Sequence, residues 1–426
     1  AQVVARMDGS SKFGANNRLG FFPTISGGWV LSEEKFLKGN KAISFMKLSS
    51  GIGYVGNSDI AQDAQYGNTQ IGGIYNGEPS LFLSKLPNPD LKWERTSTIN
   101  AALETGFLKD RFTVELSVYR KYTKDALMDV SIPASTGFTN QTVNAAEILN
   151  RGIELTLISH NIVKPNFTWK TELNIARNYN ELVSIGQYTP DAVSGGTNDS
   201  RVIVGKPIGS FYLMKWSHVD PATGLPVYLD KNGNETNNYD NFQRQYVGDG
   251  LPDVSGGFTN TFLYKNWDLQ FFATFSLGAK IFDSSGKRQM GVVTDWNMRT
   301  DVLDRWQQPG DDNTQFARPT LNETTYDLPS GFPWWNTSLF IYDADYLRMK
   351  NIALGYTFKL KKDSRINNLR VGANVTNLFT ITNYPGLDPE IVRDFENPAD
   401  RNLSPNVTYL TPAQERSYNI SVSLNF

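Results

Sequence analysis

Residues 415–426 read ERSYNISVSLNF, and this stretch decides the fold class. Apolar and small polar side chains alternate strictly, and the apolar positions are Tyr418, Ile420, Val422, Leu424 and Phe426. Because successive side chains of a β-strand point to opposite faces, one face of this segment is apolar and the other is polar. A transmembrane β-barrel needs strands of this kind, with lipid outside and a polar interior. We therefore predict that these five residues lie on a membrane-inserted terminal strand.

The composition fits an all-β membrane protein and excludes several other classes. The 426 residues include 41 Lys plus Arg and 43 Asp plus Glu, so the whole chain has no net positive charge that would favour binding to nucleic acid. The absence of cysteine excludes disulfides, zinc–thiolate sites and thiol catalysis. Aromatic residues reach 12% although the mean hydropathy is −0.39. Barrels combine these properties, because only every second strand residue meets lipid and aromatic residues gather at the interfaces.

The same alternation recurs along the chain and predicts roughly thirteen or fourteen antiparallel strands. The clearest further segments lie at 19–29, 99–103, 112–118, 167–175, 267–277 and 369–375. In one segment the apolar positions change from odd (Leu347, Met349) to even (Ile352, Leu354), which predicts a β-bulge near Lys350.

The connections between these segments alternate in length. Short ones are expected at 106–111, 161–166, 264–266 and 359–368. Long ones are expected at 56–90, 128–149, in the stretch before residue 249, at 279–345 and at 380–414. Outer-membrane barrels have short periplasmic turns and long outer loops. If the carboxy terminus is periplasmic, every long segment lies outside, provided that one more short strand occupies residues 224–230.

The sequence shows no catalytic constellation, and we predict a protein that is not an enzyme. Its two histidines, His160 and His218, lie in neither a zinc-binding nor a nucleophile motif. The segments 220–224 and 230–235 resemble calcium loops, but the second lacks the required glycine and glutamate positions, so both are interpreted as turns. No metal site and no cofactor are predicted.

The aromatic residues of the expected outer loops are the candidate ligand contacts. They are Trp296, Trp306, Trp334, Trp335 and Tyr384. Tryptophan and tyrosine can stack on sugars or grip a peptide, but they also pack loops without any ligand. The sequence leaves both interpretations open.

Several phrases are more specific than alternation. They are DGSSKFG at 8–14, FPTIS at 22–26, NPDLKWE at 88–94, NRGIEL at 150–155, YLRMKNI at 346–352, LGY at 354–356, NLFT at 377–380 and YPGLDPE at 384–390. In this order they resemble the later barrel of the SusC/RagA-type TonB-dependent receptors of the Bacteroidetes outer membrane. The resemblance spans nearly the whole chain, from residue 8 to residue 426.

The resemblance implies a plugged barrel of about twenty-two strands, of which residues 1–426 would form the carboxy-terminal thirteen or fourteen. The plug, its TonB-contacting segment and the first strands have no counterpart here, so we expect the rest of the receptor to accompany this chain. The family imports oligosaccharides or peptides across the outer membrane, with energy supplied through TonB and a SusD-like surface lipoprotein as a lid. Loops 56–90, 279–345 and 380–414 would meet the lid and the ligand.

Three other functions remain open at this point. A passive porin with a complete fourteen-strand channel would need neither plug nor TonB. A surface adhesin or binding barrel would use the same outer loops without transport. A soluble β-rich glycan-binding or hydrolytic domain would need no lipid. The sequence does not distinguish a glycan substrate from a peptide.

Overall fold

The computed structural model describes residues 1–60, 64–66, 69–83, 86–138, 140–190, 192–193, 200–290, 297–318, 337–360, 366–390, 405–409 and 411–425. Almost all regular structure in these residues is β-strand. One short α-helix, Gly286–Gln289, occurs in the described ranges, together with short 3-10 turns at Leu31–Glu33, Ala134–Thr136, Asn241–Gln243, Thr300–Asp304 and Ser338–Phe340. In the described part of the chain, no helix has the length and apolar character needed to span a membrane.

Twelve strands form one antiparallel sheet, called the wall, in which each strand pairs with its neighbours in chain order. They are β1 (Gln2–Gly9), β2 (Leu19–Val30), β3 (Ile43–Asn57), β6 (Glu94–Phe107), β7 (Phe112–Ser131), β8 (Asn140–Lys164), β9 (Phe167–Ser184), β16 (Val254–Tyr264), β17 (Trp267–Leu277), β20 (Tyr346–Lys359), β21 (Asn368–Thr382) and β23 (Ser417–Asn425). The first and last of these, β1 and β23, form the two edges of the sheet.

The remaining strands are short and lie in the connections. A hairpin joins β4 (Thr69–Tyr75) to β5 (Glu78–Leu83). Three three-stranded sheets hold the others: β10 (Ser200–Arg201), β11 (Ser210–Leu213) and β15 (Gln245–Asp249); β12 (Lys215–Val219), β13 (Pro226–Leu229) and β14 (Glu235–Thr236); and β18 (Lys280–Asp283), β19 (Ile341–Asp343) and β22 (Val407–Thr408).

The outward face of the wall is apolar and exposed, as the alternation predicts. In β23, Tyr418 is 67% exposed and Ile420 is 84% exposed, while Val422 and Leu424 are also exposed. Phe426 lies outside the described residues. No described layer of protein covers these side chains, so the fold provides the apolar outer surface that a membrane barrel requires.

The predicted β-bulge is confirmed and lies at Lys350. Ala273 and Phe272 of β17 pair with Met349 and Asn351 of β20, so Lys350 has no partner across the sheet. The extra residue explains why the apolar positions of β20 change from odd to even while the outward face stays apolar.

The longest connections all lie at one end of the wall, as predicted, although short ones occur at both ends. One end carries 31–42, 108–111, 165–166, 265–266 and 360–367, and the opposite end carries 10–18, 58–93, 132–139, 185–253, 278–345 and 383–416. Outer-membrane barrels place the longer connections outside, so this second end is the outer end.

Two details of the sequence prediction are wrong. The strand at residues 226–229 exists, but it pairs with β12 and β14 in a loop sheet, so the wall has twelve strands in the described residues instead of thirteen or fourteen. The predicted long loop 128–149 is short, because β7 and β8 stay paired up to Ser131 and Asn140. A register shift after Thr123 admits this extension, which packs Val130 and Val143 into a buried cluster with Leu182.

A second buried cluster lies at the outer end of the first strands. Phe13, Phe22, Leu91 and Trp93 form it, and the Trp93 ring centroid lies 5.0 Å from that of Phe13. The Trp93 indole N–H donates to the Arg18 carbonyl oxygen, and the amide of Gly14 donates to the Leu91 carbonyl oxygen. The cluster therefore joins three of the sequence phrases, at 8–14, 22–26 and 88–94, which are far apart along the chain.

Candidate functional site

Three long outer connections, 185–253, 278–345 and 383–416, pack together around one buried core. Its members come from all three connections and are Phe211, Leu213, Met214, Tyr228, Tyr239, Phe282, Met290, Phe316, Leu339, Phe340 and Val407. Burying several aromatic side chains, at about 150–250 Å² each, fixes long connections that would otherwise be costly to order. The outer end of the wall thus carries a folded layer, which we call the loop layer.

An ion-pair network holds connection 383–416 to β20. Arg348, only 2% exposed, donates from its guanidinium to the buried carboxylate of Asp388 and lies 3.2 Å (Nε to Oε2) from Glu390. The Lys350 ammonium donates to both carboxylate oxygens of Glu390, at 2.8 and 2.7 Å. Because Lys350 is the bulged residue, the interruption in pairing and this contact occur at the same place.

The Asp388 carboxylate also organises the backbone around it. Its oxygens accept hydrogen bonds from the amides of Glu390, at 2.9 Å, and Gln414, at 3.1 Å. Burial on its own raises the pKa of Asp388, but the hydrogen bonds from Arg348 and these amides outweigh it, so the pKa lies below its ordinary value. The carboxylate therefore stays ionised and keeps the connection closed at neutral pH.

A second buried carboxylate, Asp283 of connection 278–345, lies where this connection meets connection 383–416, and it accepts a hydrogen bond from the Thr408 hydroxyl group. It accepts hydrogen bonds from the amide of Gly286 at 2.8 Å and from Arg299 Nη1 at 2.6 Å, while Arg299 Nη2 donates to Asp301. Burial, with the nearby Asp283 charge, raises the pKa of Tyr342 to about 12. The carboxylate is already paired, so it is suited to holding the loop layer together and leaves little capacity for a ligand.

A pocket of about 340 Å³ opens beside this cluster. Asp283, Arg299 and Tyr384 line one side, and the Gly386–Leu387 turn and Thr411 line another. Leu387 is 77% exposed at its rim. A pocket of this size, with an apolar rim and a few polar groups, is within the range of sites that bind part of a small ligand.

Two of the five predicted contact residues lie in the described part of the loop layer, and they lie in different places. Tyr384 lines the pocket, but it is buried, and its ring centroid lies 6.0 Å from that of Tyr342. Trp306 is partly buried elsewhere; its indole N–H donates to the Pro221 carbonyl oxygen at 2.8 Å. Its ring also fills the space where a side chain on Gly224 would lie. Both residues therefore have packing roles, and ligand contact by either stays a prediction. Trp296, Trp334 and Trp335 lie outside the described residues.

The chemistry that this arrangement offers is binding. Within the described ranges, no group of three or more histidine or acidic side chains has the geometry to hold a metal ion. The two segments that resembled calcium loops form turns. Asp230 accepts from the amides of Asn232 and Asn234, and the Asp220 carboxylate accepts from Thr223. These bonds are the turn chemistry that the sequence predicts.

The residues that position the loop layer escaped the sequence analysis. The phrases at 346–352 and 384–390 were recognised separately, but nothing in their spacing showed that Arg348 and Lys350 pair with Asp388 and Glu390. The available signal was their composition, since two cations and two anions occur in matching order in two neighbouring phrases. The ion pairs could have been proposed from that order, but the sequence gives no sign that Arg348 and Asp388 are buried, which is what makes their ion pair strong.

Comparisons with known proteins agree with the fold. Residues 5–378 match the family model described as "TonB dependent receptor-like, beta-barrel". The chain is 32% identical to the TonB-dependent receptor SusC of Bacteroides thetaiotaomicron, over 94% of this chain and 40% of that protein. It is 28% identical to the TonB-dependent receptor P3 of Formosa agariphila, over 99% of this chain and 43% of that protein. The chain thus spans about two fifths of the length of these relatives.

Solved structures give the same architecture. The structure of the RagAB peptide transporter superposes with a TM-score of 0.82 at 23% identity, covering 98% of this chain and 44% of the matched chain. The RagAB peptide importer in its "open-open" state gives a TM-score of 0.83 at 23% identity, covering 100% of this chain and 45% of the matched chain. At this identity the likeness concerns the fold.

Proposed function

Because the chain belongs to the family of TonB-dependent receptor β-barrels, we propose that it forms the carboxy-terminal wall and most outer loops of an outer-membrane nutrient importer of the SusC type. Proteins of this family are outer-membrane transporters and receptors, not enzymes. The observation that carries the proposal is the twelve-stranded wall with its exposed apolar face, joined at the outer end to a folded loop layer.

The two sheet edges support a larger barrel. A strand edge left unpaired in lipid costs several kcal/mol for each unsatisfied backbone group, so β1 and β23 must find partners in the membrane. Twelve antiparallel strands place these edges in opposite directions, which allows an even number of further strands between them. We propose that the amino-terminal part of the receptor supplies about ten strands, giving about twenty-two in all, and a plug that fills the interior.

The proposed substrate is an oligosaccharide or a peptide, captured at the loop layer. A SusD-like surface lipoprotein is the proposed partner on that layer, over the connections 58–93, 278–345 and 383–416. The RagAB structures are described as those of a peptide transporter. They support a transport role for this chain, but they do not distinguish a peptide substrate from an oligosaccharide. Energy would come from the TonB complex through the plug. The five predicted aromatic residues remain proposed ligand contacts.

Uptake by the full-length receptor in the source bacterium tests this function. Cells should accumulate a labelled oligosaccharide or peptide only when both TonB and the proton gradient are intact, and the tagged receptor should copurify with a surface lipoprotein. Uptake that persists without TonB, with steady ion conductance of the purified receptor in planar bilayers, would identify a passive porin. Binding without any accumulation would identify a surface-binding barrel.

A second measurement concerns the predicted contacts. Tyr384→Phe keeps the ring and removes only the hydroxyl group, so it separates ligand contact from packing. If the hydroxyl contacts the ligand, affinity should fall while the thermal stability of the receptor stays within about 1 kcal/mol. Gln308→Ala, in an exposed turn of the same connection as Trp306, is a matched control with no expected effect.

A further inference from the structure

The outward face of the wall carries a group of positive charges on four neighbouring strands, part of the way from the short-turn end to the outer end. These residues, called the basic belt, are Arg95 on β6, Arg120 and Lys124 on β7, Arg151 on β8 and Arg177 on β9; all five are exposed. Their outward direction follows from strand alternation: Val118 and Ile153 pair on the exposed apolar face, and Arg120 and Arg151 pair two residues further along.

The basic belt lies at the height of a membrane interface. Phe112 begins β7 at the short-turn end, where it pairs with Phe107 of β6. Arg120 and Tyr122 follow after eight and ten residues. At about 3.4 Å per residue and a tilt near 40°, this places them roughly 21–26 Å further along the membrane normal. An apolar band is about 25 Å tall, so the belt meets the outer-leaflet head groups.

Two pairs in the basic belt set like charges directly opposite each other. Arg120 faces Arg151 across β7 and β8, and Arg95 faces Lys124 across β6 and β7. Opposed like charges destabilise a sheet unless an anion lies between them. In the residues that the structure describes, none of the five belt cations forms a salt bridge with a carboxylate.

Two carboxylates lie near the belt without forming an ion pair with it in the described residues. Glu147 accepts the hydroxyl hydrogen bond of Tyr122, and Glu181 accepts that of Tyr179 at 3.3 Å. The tyrosine rings instead support the cations: the Arg151 guanidinium carbon lies 4.5 Å from the Tyr179 ring centroid, and that of Arg120 lies 5.1 Å from Tyr122. Such contacts orient the guanidinium groups while leaving their N–H donors available.

We propose that the basic belt binds the phosphate groups of an anionic lipid in the outer leaflet. Guanidinium groups bind phosphate through two parallel hydrogen bonds, and a phosphate between Arg120 and Arg151 converts their repulsion into attraction. Ile99, exposed directly opposite Arg120, and Ile153, exposed two residues closer to the apolar band than Arg151, offer the surface for the acyl chains of the same lipid. The belt faces away from the barrel interior, so this ligand is distinct from the transported one.

Lipid titration of the purified full-length receptor tests the proposal. Phosphorylated lipid A is compared with dephosphorylated lipid A and with inorganic phosphate, using native mass spectrometry for retained lipid and thermal unfolding for stabilisation. The variant is Arg120→Gln with Arg151→Gln. The matched control is Lys121→Gln, an exposed cation on the same strand that alternation directs inward, with its ammonium 5.2 Å from the Tyr119 ring centroid.

The phosphorylated lipid should bind and stabilise the wild type. Each removed cation should weaken binding roughly fivefold, so the double variant should bind about 30-fold more weakly while Lys121→Gln is unchanged. In detergent without lipid, the double variant should melt at the same temperature as the wild type or higher, because it loses an opposed like-charge pair. Equal binding of dephosphorylated lipid A, equal stabilisation by inorganic phosphate, or unchanged lipid affinity of the double variant would each overturn the proposal.

Discussion

Replacing Asp388 by alanine should release connection 383–416 from the wall. The change leaves the Arg348 guanidinium, 2% exposed, without its main partner, and it removes the acceptor of two backbone amides. Breaking a buried ion pair from one side costs about 3–5 kcal/mol. Because Glu390 still lies 3.2 Å from Arg348, we expect a value near the lower end, about 3 kcal/mol.

Hydrogen exchange of the full-length receptor in detergent measures this release locally. Protection of the segment 384–390 should fall roughly a hundredfold or more in Asp388→Ala, whereas the wall strands should keep theirs. Asp343→Ala is the matched control, since it removes the partner of Lys280 in a pair that is 39% and 66% exposed and contributes less than about 1 kcal/mol.

A double replacement distinguishes the cost of leaving the Arg348 charge unpaired from the cost of losing the contacts of Asp388. Arg348→Met with Asp388→Leu removes both buried charges and should recover the part of the protection that the unpaired guanidinium costs, because apolar residues of similar volume often replace a buried pair at little cost. The part that comes from the two amides bound by Asp388 should stay lost. If Asp388→Ala behaves like Asp343→Ala, with a loss below 1 kcal/mol, the network does not anchor the connection and the reasoning fails.

Three further predictions concern the wall and the loops. Gly152→Val should cost about 1–3 kcal/mol in thermal unfolding, because a Cβ there would lie 2.6 Å from the Tyr119 hydroxyl oxygen; Gly27→Ala, with nothing within 4 Å, should cost almost nothing. Trp93→Ala should lower stability by about 3–5 kcal/mol and expose connection 10–18 to proteases; unchanged cleavage would argue against the cluster. The pKa of Asp388 is depressed by folding, so its contribution is present above the unfolded value near 3.9 and is lost as pH falls through the folded value. Protection of 384–390 should therefore stay constant from about pH 5 to 8 and decline only below about pH 4, and a decline already at pH 6 would contradict this assignment.

The wall was predictable because its signal is local. A two-residue period is visible in each strand, and the outward positions of β23 and the bulge at Lys350 follow directly from it. The family resemblance is confirmed by the match over residues 5–378. The number of wall strands was overestimated because β13 has the same pattern as a short wall strand, and only its partners reveal that it belongs to a loop sheet.

The packing at the outer end of the wall was less predictable because its contacts are long-range. Trp93 meets Phe13 across 80 positions, and Arg348 meets Asp388 across 40. Such sequence separations cannot be read from the two-residue alternation that reveals the strands. The extension of β7 and β8 beyond residue 124 was missed for a related reason: the register shift there breaks the alternation, although pairing continues to Ser131.

Membrane exposure of alternate residues in β23 tests the central claim most directly. The chain contains no cysteine, so single cysteines at 419–424 can be introduced into the full-length receptor after any other cysteine has been replaced. With a fluorophore at each position and a lipid-borne quencher in the bilayer, positions 420, 422 and 424 should be quenched, whereas 419, 421 and 423 should not. Uniform quenching, or none at any of the six positions, would contradict a wall that presents one face to lipid.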